Sequence, residues 1–252
     1  MNAPAPLLAL EGVTRTFGGI HALARVTCAV PPGQIVGIIG PNGAGKTTMF
    51  NVITGAFRAD AGTIVLDDRP ITLEPPHRIA RAGISRTFQN IRLFGGMTVW
   101  EHLLVAQPHG ESALRRLLPT RWADPAALRR AQEALEFFGL QEVMDRVARS
   151  LPYGIQRKVE MARAITARPK LLLLDEPVAG MNHEEAEEIR ALMLQLRDGG
   201  LSILLIEHDM AFVMNLCDYL YVLDFGVMIA QGRPDEIRVN PKVLDAYLGR
   251  AA

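Results

Sequence analysis

Residues 40–47 read Gly-Pro-Asn-Gly-Ala-Gly-Lys-Thr, directly after the apolar run Ile35-Val36-Gly37-Ile38-Ile39 and before Met49-Phe50-Asn51-Val52-Ile53. The octet fits glycine, four residues of any kind, then Gly-Lys-Thr. Set between a strand and a helix, that pattern folds as a phosphate-binding loop. Gly40, Gly43 and Gly45 let the backbone turn back on itself, so that the N–H groups of Pro41-Asn42-Gly43-Ala44-Gly45 and their neighbours face an anion, except at the proline. A helix starting near Gly45 adds the positive end of its dipole. Lys46 is then placed to reach the β- and γ-phosphates, and the Thr47 hydroxyl to meet Mg²⁺. A glycine-rich turn with a surface lysine would explain the octet but not its flanks. The pattern marks a nucleotide site.

A chain of 252 residues buries one substantial core. Formal net charge is zero, so the overall balance gives no reason to expect nucleic acid as a partner. Two cysteines, Cys28 and Cys217, exclude a disulfide framework and fit a reducing compartment. No apolar run approaches the ~18 residues of a membrane span. Met-Asn-Ala-Pro-Ala-Pro at the start lacks the basic and hydrophobic regions of a signal peptide. A membrane role is therefore expected to come through a partner.

Along the chain, residues 7–13 and 25–30 are expected as strands, with 15–22 as a polar connection, and Thr63 to Asp67 as a further strand. Residues 91–153 read as a mostly helical insert. Within it, Asp124-Pro125 suits a helix start, and Leu128, Ala131, Leu135 and Phe138 recur at helical spacing up to Gly139. Arg115, Arg116 and Arg121 in the preceding stretch read as solvated charges rather than a lipid contact. After the insert, strands and helices alternate. Leu171 to Leu174 and Ser202 to Ile206 are continuous apolar runs of the buried parallel kind. Asn182 is a candidate cap for a helix with Ile189, Leu192, Met193 and Leu196 inward. Asp209 to Cys217 reads as a short helix, Tyr219 to Leu223 and Val227 to Ala230 as a hairpin, and 235–248 as one closing helix.

The run Leu171-Leu172-Leu173-Leu174-Asp175-Glu176 ends a buried strand in two carboxylates, at the sheet edge where α/β folds bind ligands. Asp175 is the candidate Mg²⁺ partner, and Glu176 the group that takes a proton from, or orients, the attacking water.

With these residues in place, the chain resembles the ATP-binding cassette (ABC) ATPases. Residues 40–47 match the family's Walker A and 171–176 its Walker B. Leu151-Pro152-Tyr153-Gly154-Ile155-Gln156 resembles the signature loop, Gln89 the glutamine loop, and His208 in Ile206-Glu207-His208-Asp209 the switch histidine. Phe17 stands where an aromatic stacks on adenine, and Ala179-Gly180-Met181-Asn182 where a loop crosses the dimer interface. Arg86-Thr87-Phe88-Gln89-Asn90, the tyrosine of Leu-Pro-Tyr-Gly and the Ala-Tyr-Leu-Gly tail are similar to the ATPase subunits of branched-chain amino-acid importers. Two departures stand out. In the signature, Pro152 replaces the usual serine, removing both a hydroxyl and an N–H, and Ile155 replaces the usual glutamine; Asn182 replaces the usual aspartate.

The resemblance implies an α/β, P-loop NTPase fold: an ABC ATPase core with a mostly parallel sheet and an antiparallel β subdomain (1–90 and 154–252), and a helical subdomain over 91–153. It implies ATP and Mg²⁺ as ligands, with Thr47, Gln89 and Asp175 at the metal. Glu176, His208, Gln89 and Lys46 would be catalytic, and Phe17, 40–48 and Tyr153-Gly154 would contact nucleotide. It further implies a head-to-tail dimer with a second ATPase subunit, identical or related, transmembrane permease subunits, and a periplasmic binding protein met only indirectly. The chain would sit on the cytoplasmic face of the inner membrane. The residues leave other cargoes open, among them urea, amides or exported lipid. A soluble cassette acting on DNA or ribosomes would call for tandem cassettes, a coiled coil or a basic surface, and none is present. A switch without turnover is disfavoured by Glu176 and His208.

Overall fold

The apolar runs become the strands of a central sheet. The structure, a computed structural model, describes residues 5–107 and 125–248. The Asp124 helix cap and the three arginines of 113–122 lie outside the described residues. A six-stranded sheet holds β3 (Ile35–Ile39), β6 (Ile84–Arg86), β7 (Leu171–Asp175), β8 (Ser202–Ile206), β9 (Tyr219–Asp224) and β10 (Val227–Gly232), in the order β10-β9-β3-β8-β7-β6. All neighbours are parallel except the edge strand β10. Every residue of β3, β7 and β8 is buried, which is why these strands read as unbroken apolar runs instead of alternating ones.

The sheet divides two cores. Val36, Ile38, Leu171, Leu173, Leu204 and Ile206 face one, Ile35, Ile39, Leu172, Leu174, Ile203 and Leu205 the other. Each such side chain stabilises the fold by about 1.5–3 kcal/mol relative to exposure. The first core is closed by helix α1 (Lys46–Ile53) and by a four-stranded antiparallel sheet of β1 (Leu8–Phe17), β2 (Ile20–Val30), β4 (Ala61–Leu66) and β5 (Arg69–Pro70), ordered β2-β1-β4-β5. The second lies under α3 (Val99–Val105), α4 (Pro125–Phe137), α5 (Tyr153–Ile165), α6 (His183–Asp198), α7 (Met210–Leu216), α8 (Pro234–Arg238) and α9 (Pro241–Leu248).

Two expectations are corrected. The polar connection over 15–22 is a hairpin: β1 runs to Phe17, β2 starts at Ile20, and Gly18 and Gly19 turn the chain with φ of 51° and 83°. Its polar residues are strand residues with partners: Thr16 Oγ1 lies 3.0 Å from His21 Nδ1 across the hairpin, and Arg15 donates to Asp60, just before β4, at 2.8 Å. The closing helix over 235–248 is two helices. Pro241 excludes the helical conformation at Asn240, whose side chain instead accepts from the Lys242 N–H and starts α9. Between β5 and the insert, a helix α2 (Pro76–Ala82) and the strand β6 carry one buried apolar residue each, Ile79 and Ile84, too few to show a period.

Candidate functional site

The phosphate-loop octet joins β3 to α1 at the C-terminal edge of the parallel strands. Two of its glycines are forced by close approach. A Cβ on Gly40 would lie 2.0 Å from Leu223 O, and one on Gly45 2.3 Å from Ala22 O, at φ of +150° and +105°. The loop is thus pinned between β9 and the start of β2, and Gly226 N donates to Ala44 O at 2.8 Å. Lys46 is buried, and its ammonium donates to the loop's own Gly40 O (2.7 Å) and Pro41 O (3.0 Å). Burial pulls its pKa below the usual lysine value, while the negative charges of Glu176 and Asp175 oppose that shift. Asn42, Gly43 and Thr47 are exposed at the open side of the loop, and Thr48 is half-buried.

Asp175 ends β7 and is not free. Arg86, at the end of the neighbouring β6, donates from Nη2 to Asp175 Oδ2 at 2.8 Å and from Nη1 to Asn51 Oδ1 of α1 at 2.7 Å. Its guanidinium lies over the rings of Phe50 and Phe88. Glu176, the next residue, has φ of +50°, a strained backbone that its N–H bond to Ile206 O (2.9 Å) holds in place. Its carboxylate receives the Gln89 amide, Nε2 to Oε2, at 2.7 Å, and His208 Nδ1 stands 3.8 Å from Oε1. Gln89, Glu176 and His208 follow the ends of β6, β7 and β8, so three adjacent strands deliver them to one place.

His208 is held from behind. The buried Glu207 carboxylate accepts from the N–H groups of Val178 (3.2 Å), His208 (2.9 Å) and Asp209 (3.4 Å), tying the end of β8 to the loop after β7. Burial raises its pKa and these amides counteract the rise.

Tyr153 and Gly154 begin α5, with Pro152 at the N-cap. Tyr153 is 43% exposed. Gly154 faces Glu185 so closely that an added Cβ would stand 2.9 Å from its Oε1. Asn182 caps α6 through its side chain, and Glu185 returns the bond at 3.0 Å, a role in which asparagine equals aspartate. The departure at 182 keeps the local geometry and removes a charge. Phe17 is 39% exposed at the hairpin tip, edge-on to Phe57 at 5.2 Å, with Arg15 over one face of its ring. It lies on the rim, not in the core.

The donors suit a hard cation. The Thr47 hydroxyl, the Gln89 carbonyl left over once its amide is committed to Glu176, and the second Asp175 oxygen are the hard oxygen ligands Mg²⁺ takes. With a single carboxylate among them, most of its shell would come from phosphates and water.

Sequence reasoning missed Arg86, Glu207 and a buried cluster on α5. Arg157 and Glu160 are both fully buried and paired at 2.8 Å. Opposite charges three apart, interspersed with the buried Gly154, Val159, Met161 and Ala162 of α5, were the available signal.

Residues 23–179 match the family model described as ABC transporter, and 227–252 match that described as Branched-chain amino acid ATP-binding cassette transporter. The high-affinity branched-chain amino acid transport ATP-binding protein LivG of Escherichia coli K12 is 46% identical over 98% of this chain and 99% of its own. Its counterpart BraF of Pseudomonas aeruginosa is 44% identical over 98% and 99%. Among solved structures, the ADP conformation of an ATP-binding cassette of an ABC transporter superposes with a TM-score of 0.86 at 37% identity, covering 98% of this chain and all of that one. A nucleotide-free cassette gives 0.85 at 36% identity, over 96% and 99%.

Proposed function

This chain belongs to the ABC transporter family, and we propose that it is the ATP-hydrolysing subunit of an importer for branched-chain amino acids, acting with separate permease subunits. One observation carries the mechanistic part: Gln89, Glu176 and His208 converge from three strand ends, and the charges of Glu176 and Asp175 act on Lys46 in the phosphate loop. In this reading ATP lies along residues 40–48, with the N–H groups of 42–47 on its phosphates and adenine against the uncovered face of Phe17. Lys46 leaves Gly40 O and Pro41 O for the β- and γ-phosphate oxygens. Thr47, Gln89 and Asp175 would hold Mg²⁺, which would supply charge neutralisation at the triphosphate.

Glu176 takes a proton from water as the water oxygen bonds to the γ-phosphorus. The bond from that phosphorus to the β–γ bridging oxygen breaks, leaving ADP and inorganic phosphate. Gln89 orients the Glu176 carboxylate, and His208 donates to a γ-phosphate oxygen. Tyr153-Gly154 at the N-terminus of α5 cap the triphosphate held by a second ATPase subunit, identical or related, in a head-to-tail dimer.

We read 1–90 and 154–252 as the catalytic core and β subdomain, and 91–153 as the helical insert that meets the permease beside Gln89 to Phe94, where Phe94 is 55% exposed. No helix among the described residues is long and apolar enough to cross a membrane. In this reading the chain attaches at the cytoplasmic face through the permease, as a subunit of the same kind as its transport ATP-binding relatives. The periplasmic binding protein acts only through that permease, and nucleic acid takes no part. The test is uptake of labelled leucine, isoleucine and valine into vesicles carrying the assembled transporter with ATP inside. ATP-dependent uptake that the Glu176→Gln subunit abolishes is expected. ATP-driven movement of some other solute, with none of these three, would overturn the assignment of cargo.

A further inference from the structure

Arg157 is among the largest fully buried side chains of the protein, and it is shared among four partners. Nη1 donates to Phe88 O (2.8 Å) and Glu160 Oε2 (2.8 Å). Nη2 donates to Gln89 O (2.9 Å) and Tyr153 Oη (3.0 Å). The same face of α5 grips the following residues: Glu160 Oε1 accepts from Arg92 N (3.3 Å), and Arg163 Nη1 donates to Arg92 O (2.6 Å). Only a planar guanidinium reaches two successive carbonyls, a carboxylate and a phenol at once; an ammonium is a point donor.

These contacts close a continuous path inside one subunit. Glu176 receives the Gln89 side chain, the Gln89 carbonyl receives Arg157, and Arg157 meets the Tyr153 hydroxyl, beside Gly154 in the first turn of α5. We propose that Arg157 is a positioning residue that couples the Gln89–Glu176 pair of a subunit's own nucleotide site to the Tyr153-Gly154 end that it offers to the neighbouring subunit. The inference rests on the roles given above to residues 40–48, Glu176 and Tyr153. When nucleotide engages the Gln89 side-chain carbonyl while its amide stays on Glu176, the Gln89 backbone shifts, and Arg157 carries that shift to Tyr153. Glu160 keeps the buried guanidinium neutralised throughout, so the relay moves no uncompensated charge.

Contiguity alone does not transmit anything, so the test measures coupling. Amide hydrogen exchange is followed in the full chain with and without Mg²⁺ and a non-hydrolysable ATP analogue, at concentrations where the chain sediments as a monomer. In the unsubstituted protein, nucleotide slows exchange at 40–48 and alters it at 152–160. In Arg157→Lys the change at 40–48 persists and the change at 152–160 is lost. Tyr153→Phe, which removes only the hydroxyl at the end of the path, diminishes it, and carries the test should Arg157→Lys fail to fold. A packing role alone would speed exchange of α5 equally with and without nucleotide and keep the difference between the two states; that result overturns the proposal. A response at 40–48 with none at 152–160 in the unsubstituted chain sinks the relay alone. No response at 40–48 sinks the nucleotide-site reading and the relay with it.

Discussion

Gln89 donates its side-chain amide to Glu176 at 2.7 Å, across the gap between the ends of β6 and β7. A carboxylate so held at φ of +50° has one oxygen fixed and the other, 3.8 Å from His208, left for a water molecule. Glu176→Gln keeps the shape and removes the proton acceptor. Phosphate release is expected to fall by about 10²–10⁴-fold, the usual contribution of general base catalysis. Nucleotide affinity, measured by titration with a fluorescent ATP analogue, should change little, because the phosphate loop is untouched.

Arg86 and Asp175 form a buried pair, 8% and 6% exposed at their side chains. Arg86→Met strands the carboxylate and is expected to lower unfolding free energy by about 3–5 kcal/mol, the cost of breaking such a pair from one side. Adding Asp175→Asn removes the stranded charge and should recover much of the loss. Denaturant melts of the single and double variants measure both. Equal losses in Arg86→Met and in the double variant would show that the stranded carboxylate is not the source of the cost.

His102, fully buried on α3, accepts the Phe94 N–H at Nε2 (2.9 Å) and lies 2.8 Å from Thr98 O through Nδ1, an arrangement that fits the neutral ring. Burial, and the nearby Arg163 charge, push its pKa below the usual 6.5, although Thr98 O and Glu101 oppose the shift. Above pH 6.5 the ring is neutral folded and unfolded, and its contribution is complete. As pH falls below 6.5 the unfolded chain binds the proton first, so stability drops toward the lower folded pKa. Melting temperatures taken from pH 7.5 down to 5.5 should decline, and less steeply in His102→Gln.

What could be read from the residues was what local rules decide. Ile35–Ile39, Leu171–Leu174 and Ser202–Ile206 announce buried parallel strands because both their faces are covered, and Asn182 with Glu185 announces a helix start. The hairpin at Gly18-Gly19 was hidden because Arg15, Thr16 and His21 look like loop residues until Asp60 and the opposite strand supply partners. The break at Pro241 was legible and overlooked. The meeting of Gln89, Glu176 and His208 depends on strand order, which puts β6, β7 and β8 side by side although 87 residues separate Gln89 from Glu176 in sequence. Arg86 was beyond local reading, because its carboxylate waits on another strand; the Arg157–Glu160 spacing is local, but the Phe88 and Gln89 carbonyls that complete the burial of that guanidinium are not.

The half-site account is tested most directly by sedimentation of the Glu176→Gln chain with Mg²⁺ and ATP, alone and mixed with the second ATPase of the same transporter. A species of dimer mass that forms with ATP and dissociates with ADP is the expected result. A chain that holds ATP yet sediments as a monomer under every one of these conditions would contradict it.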